Sequence, residues 1–129
     1  MKTSYHCVFS LNYHVVVVVK RRKKLLTEQG LSIVEQSFRD RCVAAKGELL
    51  EFGGEADHVH ALISLPPSVP VSVLINAVKT NSSRKVRTAD ERAREAGPAF
   101  WSPSYFVASC GGAPLEKIKD YVRSQERPE

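Results

Sequence analysis

Five consecutive valines, Val15 to Val19, constrain this chain more than any other feature. β-Branched side chains are stiff about χ1 and suit an extended backbone better than a helix. In a strand, Val15, Val17 and Val19 point one way and Val16 and Val18 the other. Both faces are then apolar and both need cover, which marks a central strand. The run is far shorter than the roughly 20 apolar residues of a membrane helix. The strand reading extends from Val8 to Val19. Five basic residues follow directly, Lys20-Arg21-Arg22-Lys23-Lys24. Their mutual repulsion keeps them on the surface and favours a polyanionic neighbour.

Beyond that run the apolar period changes. From Leu25 to Ala45 the spacing is helical, with Leu31, Val34, Phe38, Cys42 and Ala45 on one stripe and Gly47 as a stop. Glu48 to Phe52 reads as a second strand, Gly53-Gly54 as a turn, and Asp57 to Leu65 as a third strand ended by Pro66-Pro67. A second helix opens at Ser68 or Pro70, turns Val71, Leu74, Ile75 and Val78 inward, and continues through Arg84 and Lys85. The charged stretch Arg87 to Glu95 reads as a solvated helical segment or loop cover, broken by Gly97-Pro98. A fourth strand starts at about Ser104. Gly111-Gly112-Ala113-Pro114 is a hinge-like turn before a last helix at about 114–126.

The order β-α-β-β-α-β-α predicts an α+β fold. Its simplest packing is a ferredoxin-like βαββαβ antiparallel sheet, RRM-like, with an additional C-terminal helix. The first and third strands would be central, and a single domain would span residues 1–129. The chain carries 19 Lys and Arg against 14 Asp and Glu, a net charge of +5, which points to nucleic acid as partner. Three widely spaced cysteines, Cys7, Cys42 and Cys110, form no Cys-x-x-Cys pair, which excludes a zinc ribbon or thioredoxin-type site. They fit buried thiols of an intracellular protein. With no signal-peptide pattern and no membrane segment, a cytoplasmic location is expected. No phosphate-binding loop pattern is present, so no nucleotide cofactor is expected.

The third strand holds His58-Val59-His60. Strand alternation puts both imidazoles on one face and Val59 on the other. Two neutral imidazoles on a rigid face make half of a divalent-metal site. By itself, His-x-His also fits a pair of strand histidines with no ligand role. Asp57 would point away from the histidine face, and Glu55 is a candidate acceptor for a ligand imidazole or an acid capping the turn. His14, on the neighbouring central strand, is either a further ligand or a packed strand histidine. On the last helix, Tyr121 and Gln125 lie four apart and stack on one face, beside the apolar stripe Leu115, Ile118 and Val122. They fit a core tyrosine and boundary glutamine as well as a site.

Taken together these segments resemble the single-tyrosine HUH transposases of small bacterial and archaeal insertion sequences (the IS200-like family). Asp57-His58-Val59-His60-Ala61-Leu62-Ile63-Ser64-Leu65-Pro66-Pro67 is similar to the stretch around that family's His-hydrophobe-His motif. So are Lys79 through Arg84, Trp101-Ser102-Pro103-Ser104-Tyr105-Phe106, and Tyr121-Val122-Arg123-Ser124-Gln125 to its tyrosine helix. The segments occur in the right order over nearly the whole chain.

The resemblance implies a transposase that cuts and rejoins single-stranded DNA at hairpin-bearing element ends. Tyr121 would be the nucleophile, through a 5′-phosphotyrosine intermediate. His58, His60 and Gln125 would bind Mg²⁺ or Mn²⁺. It also implies a homodimer, with the tyrosine helix of one subunit free to serve the histidines of the other. Lys20, Arg21, Arg22 and Lys23, with Lys79, Arg84 and Lys85, are the candidate contacts to DNA phosphates. Tyr5, Tyr13 and Tyr105 are the alternative nucleophiles, and none has a helical glutamine partner. The basic segment departs from the family in lacking an aromatic residue, which leaves the target sequence open. Two alternatives stand beside this reading. One is a domesticated relative or a Rep- or relaxase-like nickase with the same chemistry. The other is a non-catalytic nucleic-acid-binding module, against which stand the His and Val residues where RNA-binding sheets carry aromatics.

Overall fold

A computed structural model of the chain describes residues 10–110. The expected last helix lies outside them. The elements are β1 (Leu11–Val19), a 3-10 turn at Lys20–Arg22, α1 (Glu28–Ala44), β2 (Glu48–Glu55), β3 (His58–Leu65), α2 (Val71–Ala89), α3 (Glu91–Arg94) and β4 (Trp101–Ser109). The sheet order is β2-β3-β1-β4 and each neighbouring pair is antiparallel. This is the ferredoxin-like βαββαβ arrangement, with β1 and β3 in the centre as the valine run requires.

Cross-strand partners share a face, so the register sorts the side chains. Val15, Val17 and Val19 pair into the same layer as Val59, Ala61, Ile63 and Leu65. There they meet Val34, Phe38 and Cys42 of α1 and Leu74, Ile75 and Val78 of α2 in the main core. The other face carries His14, Val16 and Val18 of β1 against Leu62, His60 and His58 of β3. Val16, His58 and Leu62 on that face are buried too. Both sides of the central strands are therefore covered, as their sequence demands. No helix among the described residues is long and apolar enough to cross a membrane.

Local chemistry sets the helix ends. Thr27 caps α1, its hydroxyl accepting from the Gly30 N–H at 3.0 Å, so the helix starts three residues later than the apolar spacing suggested. Its exit needs one left-handed residue, and Lys46 takes that role with φ 66°. Gly47 serves a different need, because a Cβ there would run into the Ser64 carbonyl oxygen of β3. The charged stretch at 87–95 is the end of α2 followed by the short α3, capped by Asp90. It is not wholly solvated, since Ala93 sits in the core. Cys42 is buried and Cys110 half-buried; Cys7 lies outside the described residues.

Two expectations fail. Gly53-Gly54 is no turn: β2 continues through both glycines to Glu55, and the hairpin turns at Ala56-Asp57. The fourth strand starts at Trp101, ahead of Pro103. Pro103 lacks an N–H, but β4 is an edge strand and its register slips between the partners of Val17 and Val19. A bulge at an edge is where a strand tolerates proline.

Candidate active site

The β2–β3 hairpin builds the histidine site. A two-residue turn places Glu55 opposite His58 and, further along, Gly53 opposite His60. Because Asp57 belongs to the turn, strand alternation does not govern its side chain. Its Oδ1 lies 2.8 Å from His58 Nδ1, and both residues are buried. The expectation that Asp57 points away is thus corrected. Asp57, rather than Glu55, is the acceptor for His58. Burial pushes the Asp57 carboxyl up, but the hydrogen bond and charge of His58, together with Arg22, outweigh it and hold the group below its ordinary range.

With a carboxylate on Nδ1, the imidazole proton belongs on that nitrogen and the lone pair on Nε2. His58 Nε2 is buried and has no hydrogen-bond partner among the described residues. Buried polar atoms in native proteins are almost always satisfied. A cation is the kind of partner that a neutral imidazole lone pair takes.

His60 stands beside it, with ring centroids 6.1 Å apart and planes inclined by 32°. The two rings would hold a divalent ion together, each offering a nitrogen lone pair. Gly53 makes room for the second ring: a Cβ on it would lie 2.7 Å from His60 Cε1. His14 lies further along the same face, opposite Leu62, and is buried. Burial first, and the proximity of His60 second, lower its pKa. Its ring meets Phe106 edge-on at 5.6 Å, and both its nitrogens are buried. Glu55, Asp57 and His58 also bring ligand atoms within 4.8 Å of one another.

The tyrosines divide by layer. Tyr13 pairs with Ile63, and Tyr105 with Val17, so both face the helices and pack on the main core. Neither shares the face of His58 and His60. Tyr5, Tyr121 and Gln125 lie outside the described residues.

The basic residues also separate. Arg21 and Arg22 both have positive φ, 59° and 55°. Their turn brings the Arg22 guanidinium to Asp57 Oδ2, at 3.3 Å from Nε and 3.2 Å from the terminal nitrogen. Lys23 donates to the Ala96 carbonyl at 3.2 Å. Lys20, Arg21 and Lys23 line a cleft against residues 96–100. Lys79 is half-buried, donates to the Ser102 carbonyl at 2.8 Å and lies over the Tyr105 ring. Burial lowers its pKa. Arg84 and Lys85 are exposed on α2, in the layer opposite the histidines. The structure therefore brings Arg22 to the histidine site and leaves Lys79, Arg84 and Lys85 on the helical side. Sequence reasoning missed Asp57 and Gly53. A turn placed at 56–57 would have found both, since it makes 53 face 60 and frees Asp57 from the strand.

Comparison with known proteins gives a consistent result. A family model described as IS200-like transposase matches residues 7–125. The ISDra2 transposase TnpA of Deinococcus radiodurans is 28% identical over 131 residues, covering 100% of this chain and 94% of that protein. The transposase for insertion sequence element IS200 of Salmonella typhimurium is 28% identical over 126 residues, 96% of this chain and 82% of its own length. A Deinococcus radiodurans crystal structure, assigned as a transposase, superposes with a TM-score of 0.75 at 25% identity, over 98% of both chains. A REP-associated tyrosine transposase bound to a REP hairpin superposes with a TM-score of 0.65 over 95% of this chain and 68% of that one. At 14% identity, that last likeness speaks for the fold alone.

Proposed function

This chain belongs to the family of IS200-like transposases, and on that premise we propose that it cuts and rejoins single-stranded DNA at hairpin-bearing element ends, with Tyr121 as nucleophile. The observation that carries the metal side of this reading is the buried Nε2 of His58, without a hydrogen-bond partner among the described residues, on the face it shares with His60. The observation that favours Tyr121 is negative for the two rivals among the described residues: Tyr13 and Tyr105 face the other layer.

The chemistry balances without a nucleotide cofactor. The Tyr121 phenol loses its proton and its oxygen attacks phosphorus. The bond from phosphorus to the 3′ oxygen breaks, and that oxygen takes up a proton as a free 3′-hydroxyl. The 5′-phosphotyrosine link conserves the phosphoester bond. A 3′-hydroxyl of another strand then attacks it, restores a phosphodiester and returns the phenol. A free phenol, with a pKa near 10, is a weak nucleophile and needs positioning and a nearby cation. His58, His60 and Gln125 would hold Mg²⁺ or Mn²⁺, whose charge would offset that of the phosphate and polarise phosphorus. Two neutral imidazoles and an amide leave the ion's full charge available to substrate. Exposed Arg21 and Lys23 would track phosphates, and the net charge of +5 favours the encounter.

The test is an adduct assay. Labelled single-stranded hairpin DNA with Mn²⁺ should give an SDS-stable protein adduct with the wild type and none with Tyr121→Phe. His58→Ala should bind the DNA and not cleave it. An adduct that survives Tyr121→Phe refutes the nucleophile, and equal reaction with duplex refutes the substrate. In a homodimer with shared sites, mixing the two inactive variants should restore part of the cleavage; in a chain that acts alone it should not.

A further inference from the structure

Three segments meet at Asp57. The hairpin turn carries it, the basic turn after β1 supplies Arg22, and the head of β3 supplies His58. Its backbone is held as well: the Asp57 carbonyl accepts from Val19 N–H, and the Ala56 carbonyl from Leu26 N–H, each at 2.9 Å. Asp57 is only 4% exposed. Its two carboxylate oxygens are divided, Oδ1 to His58 Nδ1 at 2.8 Å and Oδ2 to Arg22 at 3.2 Å. The group cannot rotate without losing one of them.

From this arrangement we propose that Asp57 is the positioning residue of the active site, holding His58 in the Nδ1–H tautomer and in the ring orientation that presents the Nε2 lone pair beside His60. The inference rests on the reading of His58 as a metal ligand. An imidazole can carry its proton on either nitrogen. With the proton on Nε2, His58 has no lone pair to offer at that face. A carboxylate on the far nitrogen removes that state, and such partners typically account for about 10–100-fold of metal affinity. Arg22 then acts as a support of this carboxylate from within the basic run, and the exposed Arg21 and Lys23 are left for phosphates.

The experiment uses the full-length protein without DNA. Long-range ¹H–¹⁵N spectra of the metal-free protein report the His58 tautomer, and EPR titration reports Mn²⁺ affinity. The wild type should show His58 protonated at Nδ1. Asp57→Ala should lose that signature and bind Mn²⁺ about 10–100-fold more weakly. Asp57→Asn keeps an oxygen that can accept from Nδ1, so it should retain the tautomer and most of the affinity. A wild-type spectrum with the proton on Nε2 overturns the proposal with no variant needed, even if Asp57→Ala does not fold. Unchanged Mn²⁺ affinity in Asp57→Ala overturns it whatever the melting temperature does. Equal weakening in Asp57→Asn and Asp57→Ala also overturns it, in favour of charge alone. His58→Ala is the separate control. If it binds Mn²⁺ as the wild type does, the metal reading itself fails; if it does not, failure of the Asp57 variants counts against Asp57 only.

Discussion

Gly53 has no functional atom, yet it sets where one of the two imidazoles stands. A Cβ at this position would sit 2.7 Å from Cε1 and 3.0 Å from Nε2 of His60, so the ring would have to leave. At Gly54 the obstacle is different, the His58 carbonyl oxygen at 2.7 Å. A side chain can swing away, whereas a paired backbone cannot do so without breaking the ladder. Gly53→Ala should therefore keep its melting temperature within a few degrees and lose most DNA cleavage and Mn²⁺ affinity. Gly54→Ala should lower the melting temperature instead, by an amount fitting about 1–3 kcal/mol of overpacking. Thermal unfolding and EPR titration of the two variants check the contrast. If Gly53→Ala cleaves normally, the His60 ring is not held where its role requires.

Among the elements, α1 shows how burial tunes a group with no part in the site. Cys42 ends the buried stripe of that helix. Burial lifts its thiol to about 12, against a smaller downward pull from Arg39. The unfolded thiol keeps its ordinary value of 9.0. Above pH 9 the unfolded chain therefore gives up a proton that the folded chain keeps, and stability falls as pH rises. The contribution of this group should be lost at about 1.4 kcal/mol per pH unit between pH 9 and 12. Urea unfolding at pH 8 and pH 10 should show a shallower pH dependence for Cys42→Ala than for the wild type, although the variant is less stable at both. At pH 8, iodoacetamide should modify Cys42 only as fast as the helix opens.

At the scale of the whole molecule, the sheet separates two tasks. One face takes α1 and α2 and builds the main core; the other gathers His14, His58 and His60. The positive charge is spread over both layers, with Arg21 and Lys23 at the histidine end of β1 and Arg84 and Lys85 on α2. Only cations that touch phosphate release counterions, about 0.7 per contact on a single strand. Replacing Arg21 and Lys23 by Gln should reduce the salt slope of single-strand binding by about 1.4 in total. Replacing Arg22 by Gln should leave that slope nearly unchanged, because its guanidinium is committed to Asp57. Fluorescence anisotropy across a salt series, without divalent ions, separates these outcomes. A drop of about 0.7 in the slope with Arg22→Gln would return it to the phosphate contacts.

The amino-acid sequence alone was enough for the valine strand at the sheet centre, the βαββαβ order, the two histidines on one face and the resemblance to a transposase family. All of these follow from side-chain period or from a local string of residues, which a linear chain displays directly. What only the tertiary structure decided is the surroundings of those residues. Gly53-Gly54 looked like a turn because glycine usually breaks elements, but here it leaves space for a ring seven residues away in sequence and directly opposite in the sheet. Asp57 looked as if it turned its back on His58 because alternation was assumed to reach it. Two residues of hairpin turn ended the strand first. Arg22 looked like one cation among five, and it bonds a carboxylate 35 positions away. Register, turn position and long-range pairing are set by the free energy of the whole packed chain, and no local pattern encodes them.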